Sequence, residues 1–299
     1  MYHRIADALP DRHRLCVTPD DFRGHMEHLR GHDYCVLSLA QLAQAFSAHD
    51  VPDRAVAITF DDGYLDALTV AAPILRGFAF PATFFVVPSA MRTGDEFWWT
   101  RLERLLLSDH TLPASIQLAE DHATLPTSTL REREIAFDHL SDVLYAATGS
   151  ARAALLSAVV DWSGLEWRAS REIRSMTIEE VRELAAMPGM SVGAHSVSHL
   201  LLPAQPEELR RAEIADSKTQ LEEMLDCQVT SFAYPYGECD AATARAVADA
   251  GFLVAVTTNE RPVASGLDPF QLPRYNVTTS AHLIGSLDDA FASGLGAGA

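Results

Sequence analysis

The sequence predicts an α/β chain of the (β/α)-barrel kind, and three observations carry that prediction. Short apolar or β-branched runs alternate with helical patterns across short loops, the rhythm of parallel strands joined by right-handed crossovers. The residues richest in chemistry are Asp61-Asp62, His195 with His199, and the turn Tyr234-Pro235-Tyr236-Gly237, and each stands just after such a run. A barrel gathers groups from many strand ends into one mouth in this way. No Gly-x-Gly-x-x-Gly follows an early strand, which removes the main cue for a dinucleotide-binding sheet.

Composition sets the bounds. With 299 residues, 48% of them hydrophobic and 21% charged, the chain can bury a sizeable core. A formal net charge of −18 offers no basic field to a polyanion, so nucleic acid is excluded as a partner. Cys16, Cys35, Cys227 and Cys239 include no Cys-x-x-Cys pair, which suits neither a disulfide framework nor a zinc knuckle and predicts a reducing compartment. The start lacks a basic segment followed by an apolar run, and no stretch reaches the ~20 apolar residues of a membrane span. Taking Met1 as the true start, these features predict a cytoplasmic chain without a membrane span; the oligomeric state stays open.

The chain divides into elements as follows. Residues 1–5 read as a first strand that ends at His3. Thr18-Pro19-Asp20 starts a helix, with Thr18 as cap and Pro19 at the first helical position. Phe22, Met26 and Leu29 give it an apolar face, while His25, His28 and His32, interleaved with Arg23 and Arg30, read as a solvated face. Tyr34 to Leu37 is a strand and Ser38 caps the next helix. Ala55 to Ile58 is apolar enough for a strand buried on both faces, and it leads into Thr59-Phe60-Asp61-Asp62-Gly63-Tyr64. A helix over about 65–75 and a strand at Ala82 to Val87 follow.

The alternation breaks at about 95–175, where Phe97-Trp98-Trp99 opens a helix, a loop containing Pro, Thr and Ser follows, and two further helical stretches lie near 131–147 and 151–160. This reads as a helical insertion within a single domain over 1–299. The tryptophans suit core anchoring better than a sugar platform, with Trp98 kept as a candidate substrate contact. Thr177-Ile178-Glu179-Glu180 is a capping box, and Met190 to Ala194 is a strand. A helix over about 206–226 carries Glu and Arg for a solvated face. Strands follow at Thr230 to Ala233, at Phe252 to Val256 and ending in Leu272-Pro273-Arg274-Tyr275, with helices near 240–250 and from Ala281. Residues 293–299 read as a flexible tail. The count is seven or eight strands.

Two adjacent acids at the end of a buried strand are costly unless a cation or a catalytic task offsets them. Turn chemistry alone would make Asp-Asp-Gly an ordinary turn. His195 and His199, four residues apart, change the balance, because one carboxylate with two imidazoles is a recipe for a divalent metal with open positions. The second acid is then free to act as a general base.

Thr-Phe-Asp-Asp-Gly-Tyr, His-Ser-x-x-His and Phe-Ala-Tyr-Pro-Tyr-Gly, in this order, resemble the polysaccharide deacetylases of carbohydrate esterase family 4, which carry the NodB homology domain. The resemblance covers nearly the whole chain outside 95–175. The early Tyr-His-Arg, Phe-Trp-Trp and the late Leu-Pro-Arg also resemble a bacterial subgroup associated with surface glycans. The resemblance implies a distorted (β/α)7 barrel with a helical insertion, and hydrolytic removal of N-acetyl groups from an amino sugar or glycan by attack of metal-bound water. It implies Asp61 as general base, and Asp62, His195 and His199 as ligands of a divalent metal, Zn2+ first, with Co2+, Ni2+ or Fe2+ as alternatives. Tyr236 would offer its backbone N–H to the oxyanion, and Tyr64, Pro235 and Trp98 would line the substrate.

The match departs from the family in two places. Ala233 stands where the family has an arginine beside the base, and Arg274 is the candidate replacement. No copy of the family's late histidine motif is present; His3 is the candidate general acid, ahead of His282, with Asp61 itself as the remaining alternative for shuttling the proton. Three readings compete with the deacetylase: a deformylase or other C–N amide hydrolase on the same site, a catalytically impaired carbohydrate-binding homologue, and a purely structural metal site.

Overall fold

A computed structural model of the chain describes residues 1–7, 11–117, 124–147, 149–264 and 266–292, so the tail expected at 293–299 lies outside the described residues. In chain order, β1 (Arg4–Ile5), β2 (Cys16–Val17), α1 (Pro19–Gly31), β3 (Cys35–Leu37), α2 (Leu39–Ala48) and β4 (Ala55–Phe60) lead to the acid pair. A π-helical turn (Ala67–Ala71), α3 (Ala72–Phe78), β5 (Ala82–Val86) and α4 (Pro88–Thr93) follow. Then come α5 (Trp98–Leu107), β6 (Ser115–Gln117), β7 (Thr124–Pro126), α6 (Leu130–Ala146) and α7 (Gly149–Ser163). The chain continues with α8 (Ile178–Ala185), β8 (Met190–Ala194), α9 (Glu207–Leu225), β9 (Ser231–Ala233), α10 (Ala241–Asp249), β10 (Val254–Val256) and α11 (Ser280–Ala292).

Local chemistry explains the boundaries. Thr18 accepts from the Asp21 N–H with Pro19 in the first turn. Ser38 with Gln41, Thr129 with Glu132, and Thr177 with Glu180 form complete capping boxes at the starts of α2, α6 and α8. Pro73 has no N–H to give the carbonyl four residues back, and the widened π turn directly precedes it.

The chain forms two compact units. The first comprises Met1–Asp7, Arg14–Gly94 and Ser175–Ala299, and the second Ala8–His13 and Asp95–Arg174. In the first unit six parallel strands lie in the order β10-β9-β8-β5-β4-β3, with helices in the connections, so the α/β barrel class expected from the sequence is the class observed. Between β10 and β4 the circuit continues through backbone hydrogen bonds. Leu272 N–H donates to Ala255 O at 2.9 Å, Val277 N–H to Met1 O at 3.0 Å, Tyr2 N–H to Thr59 O at 2.9 Å and Asp61 N–H to Tyr2 O at 3.0 Å.

Two expected strands change form here. Leu272 makes a single bridge to Val256, because Pro273 cannot donate to a ladder. The first strand does not end at His3: Tyr2 bridges to Phe60, and the short β1 beyond His3 pairs instead with β2. The buried Asp66 fixes this segment, accepting from Arg4 Nε at 3.0 Å and from the Ile5 N–H at 3.1 Å.

The core of this unit centres on Phe60 and Phe84, stacked at 4.8 Å, with Tyr2 and Phe22 against Phe60. His25 belongs to this core and not to the solvated face expected of it. It is 1% exposed, within hydrogen-bond distance of Tyr2 Oη (3.2 Å) and Ser280 Oγ (3.0 Å). Its position, three residues after Phe22 and four before Leu29, puts it on the buried stripe of α1. His32 is exposed, as expected.

The second unit packs α5, α6 and α7 around Leu102, Leu106, Phe137, Leu140 and Val159. Part of the loop expected between its helices is an antiparallel pair, β6 with β7.

Candidate active site

Asp61, Asp62, His195 and the Tyr234 to Gly237 turn stand at or just beyond the carboxyl ends of β4, β8 and β9. Arg274 follows the single bridge of Leu272, and His3 lies between the Tyr2 bridge and β1. After β4 the chain turns at Asp62 (φ 70°) and Gly63 (φ 74°). Glycine is required at 63, since a Cβ there would lie 2.9 Å from Val86 Cγ1. The turn sends the two carboxylates, both buried, to different partners.

Asp61 meets Arg274 in a bidentate pair, with both N–O distances 2.7 Å. The guanidinium also donates from Nη1 to Thr59 Oγ1 at 3.1 Å and from Nε to the Thr257 carbonyl at 2.9 Å. Burial alone would raise the Asp61 pKa, but the charge and hydrogen bonds of Arg274 outweigh it and hold the carboxyl at about 2. Arg274 is thus the guanidinium paired with Asp61.

Asp62 faces the histidines. Its Oδ1 lies 3.5 Å from His195 Nε2 and 3.3 Å from His199 Nε2. Burial works against its ionisation, yet hydrogen bonds from the two imidazoles hold it far below the ordinary carboxylate range. His195 Nδ1 lies 2.8 Å from the Ala233 carbonyl, an acceptor that fixes a proton on Nδ1 and leaves Nε2 as the ring atom that faces Asp62. Alanine at 233 therefore serves the site through its backbone. The ligand atoms of Asp62, His195 and His199 all lie within 4.8 Å of one another. One anionic oxygen and two imidazole nitrogens, buried and convergent, fit a divalent cation.

The His195 to His199 segment is tightly held. Ser196 (φ 58°) and His199 (φ 53°) both adopt left-handed backbone. The His199 N–H donates to Ser196 Oγ at 2.9 Å, and Val197 and Ser198 are bonded to Glu213 of α9.

The Tyr234 to Gly237 turn closes the other side. Pro235 is buried, and Tyr236 sits at φ 61° with its ring edge-on to His199 at 4.6 Å. Gly237 has φ 75°, and a Cβ there would fall 1.9 Å from Thr258 Oγ1.

The remaining candidates are spread out. His3 is half-buried and lies in the field of Asp62, Asp61, Arg274 and His195; desolvation lowers its pKa against the pull of the two carboxylates. His282 is in α11, its Nε2 3.8 Å from Glu260 Oε2. Tyr64, expected to bind substrate, is 1% exposed with the Arg4 guanidinium 5.2 Å from its ring centroid. Trp98 lies in the second unit, edge-on to Trp99 at 5.4 Å. Thr59, Thr257 and Glu213 were not legible as site residues. A cavity of about 830 Å³ is lined largely by apolar residues such as Leu39, Phe46, Leu267 and Leu287, and reaches Thr59 and Arg274 beside Asp61.

A parallel α/β barrel with a buried Asp/His/His cluster and a second, separately held carboxylate defines a hydrolase-like site. Residues 48–158 and 165–255 match the family model described as polysaccharide deacetylase, and the chain belongs to that family, which is one of hydrolases. Among similar proteins is YxkH of Bacillus subtilis (strain 168), 22% identical over 292 residues, covering 97% of this chain and 74% of that protein. The poly-beta-1,6-N-acetyl-D-glucosamine N-deacetylase of Escherichia coli (strain K12) is 33% identical over 93 residues, 31% of this chain and 14% of that protein. The fold resembles the Streptococcus pyogenes deacetylase PplD in complex with acetate (TM-score 0.63, 22% identity, 96% of each chain covered). It also resembles IcaB from Ammonifex degensii (TM-score 0.60, 17% identity, 95% of this chain and 93% of that one). No described helix is long and apolar enough to cross a membrane.

Proposed function

We propose that the chain is a metal-dependent N-deacetylase that releases acetate from an N-acetylated amino sugar within a glycan. The observation that carries this reading is the division of the acid pair: Asp62 converges with two imidazoles while Asp61, its neighbour, is paired with Arg274. A structural metal site would have no use for the second acid. The name of the Escherichia coli relative supports an N-acetylglucosamine polymer as the substrate class.

In this reading Asp62, His195 and His199 hold the cation, Zn2+ first and Co2+, Ni2+ or Fe2+ as alternatives. Such an ion, when bound, supplies Lewis-acid polarisation of the acetamide carbonyl and an acidified water. Asp61 takes the proton of the attacking water, and Arg274 keeps that carboxylate ionised and aimed. Tyr236 offers its backbone N–H to the developing oxyanion, held at the site by the left-handed turn. His3 gives a proton to the departing amine. Alanine at 233 does not argue for an inactive homologue, because Arg274 supplies a guanidinium to Asp61 from late in the chain.

The test is acetate release from an N-acetylglucosamine oligomer, with and without chelator, for the unmodified chain and Asp61→Asn. Loss of 10²–10⁴-fold in kcat on Asp61→Asn is expected of a general base. Release that survives the substitution refutes Asp61 as base, and faster release of formate from the N-formyl analogue assigns a deformylase instead.

A further inference from the structure

We infer that Glu213 is the positioning residue for the segment that carries His199, and through it for the cation site; the inference rests on the metal reading above. Glu213 lies on α9, in the run of Glu and Arg that the sequence reads as a solvated face, yet it is 6% exposed. Its backbone carbonyl accepts from the Val197 N–H at 3.1 Å. Its carboxylate accepts from the Ser198 N–H at 2.9 Å through Oε2 and from the Ser198 hydroxyl through Oε1. One residue therefore holds both positions at the middle of His195-Ser196-Val197-Ser198-His199.

That middle is where holding is needed. Ser196 and His199 are non-glycine residues in left-handed backbone, a strained conformation that persists only where the surroundings over-determine it. The direction of the His199 ring follows from its backbone angles, so a segment free to relax would swing Nε2 away from Asp62. Among the described residues no lysine or arginine forms an ion pair with Glu213. A buried carboxylate without a cation is costly unless donors satisfy it, and here the donors are the N–H and O–H of Ser198. Groups that orient a metal ligand from behind in this way typically change metal affinity 10–100-fold when removed.

The experiment measures Zn2+ affinity of the full chain, stripped of metal by chelation, in competition with a chromophoric chelator. The variants are Glu213→Ala, Glu213→Gln and Ser198→Ala, and the visible absorption of each Co2+-loaded protein is recorded beside it. Glu213→Ala is expected to weaken Zn2+ binding 10–100-fold and to alter the Co2+ spectrum. Glu213→Gln keeps an acceptor for the Ser198 N–H and restores most of the affinity. Should Glu213→Ala fail to fold, Ser198→Ala decides, because it deletes only the hydroxyl contact; severalfold weaker binding supports the inference. Unchanged affinity and an unchanged Co2+ spectrum in Glu213→Ala, or in Ser198→Ala if that variant must stand in, overturn it. Equal loss in the Gln and Ala variants overturns the hydrogen-bond account. An unmodified chain that binds neither Zn2+ nor Co2+ refutes the metal reading itself, and the inference with it.

Discussion

The guanidinium of Arg274 grips the carboxylate of Asp61 through two parallel hydrogen bonds of 2.7 Å, across a sequence separation of 213 residues. Both partners are buried, so removing one leaves the other charge without compensation. Arg274→Ala is therefore expected to destabilise the protein by about 3–5 kcal/mol. The double variant with Asp61→Asn should recover part of that loss, since the stranded charge is gone. Urea unfolding of the two single variants and the double variant measures the coupling; strictly additive losses would show that the pair does not act as a unit.

Chelation is expected to abolish acetate release, and added Zn2+ to restore it. His199→Ala should lose bound metal while keeping one cooperative unfolding transition, because the ring contributes a ligand more than it contributes core. Metal content by elemental analysis and thermal unfolding of the metal-free protein are the two readouts. Wholesale unfolding of this variant would contradict a ligand role.

Acid should destabilise the protein through His25. Burial lowers its pKa from 6.5 to about 4, with Asp21 pulling it up and His28 pushing it down. Between those values the unfolded chain binds a proton that the folded chain does not. Stability from this group is complete above about pH 6.5 and is lost as pH falls toward 4, by up to about 3 kcal/mol at 1.4 kcal/mol per pH unit. His25→Gln does not titrate, so its unfolding midpoint should fall less between pH 7 and pH 4.5. Parallel pH profiles for the two proteins would exclude His25 as the source.

Gly237→Ala should disturb the turn that carries Tyr236. The added Cβ meets Thr258 Oγ1 at 1.9 Å and Cγ2 at 2.5 Å, at a φ of 75° that alanine adopts poorly. Overpacking of this kind costs about 1–3 kcal/mol. Adding Thr258→Gly to the variant, which also removes the Thr258 Cβ 2.6 Å away, should relieve the clash and leave the backbone cost, visible as a partial return of the thermal midpoint. No return would place the whole cost in the backbone.

The strand-end motifs made most of the site legible. Asp61, Asp62, His195 and His199 announce themselves because acids and imidazoles are expensive beside apolar strands, and the structure converges three of them within 4.8 Å. Arg274 could be proposed only from its place late in the chain, since no local pattern ties it to a residue 213 positions earlier. His25 and Glu213 escaped because each sits among charged neighbours on an amphipathic helix. Helical spacing held the missing signal: His25 falls on the stripe of Phe22, Met26 and Leu29, and Glu213 adjoins Ile214 on the face continued by Ser217 and Leu221. Two-residue strands such as β2 are set by their partner's backbone and leave no pattern of their own.

The hydrogen bonds that carry the sheet from β10 back to β4 run through residues near 272–277 and through Met1 and Tyr2. A ribosome therefore releases Asp61 long before the segment that completes its surroundings. Until Arg274 has emerged, the nascent chain holds a carboxylate with no counter-charge and an open seam beside Thr59. Synthesis order makes the acid pair one of the last features to mature, and a chain cut short of Arg274 would carry both acids without the partner that separates their roles.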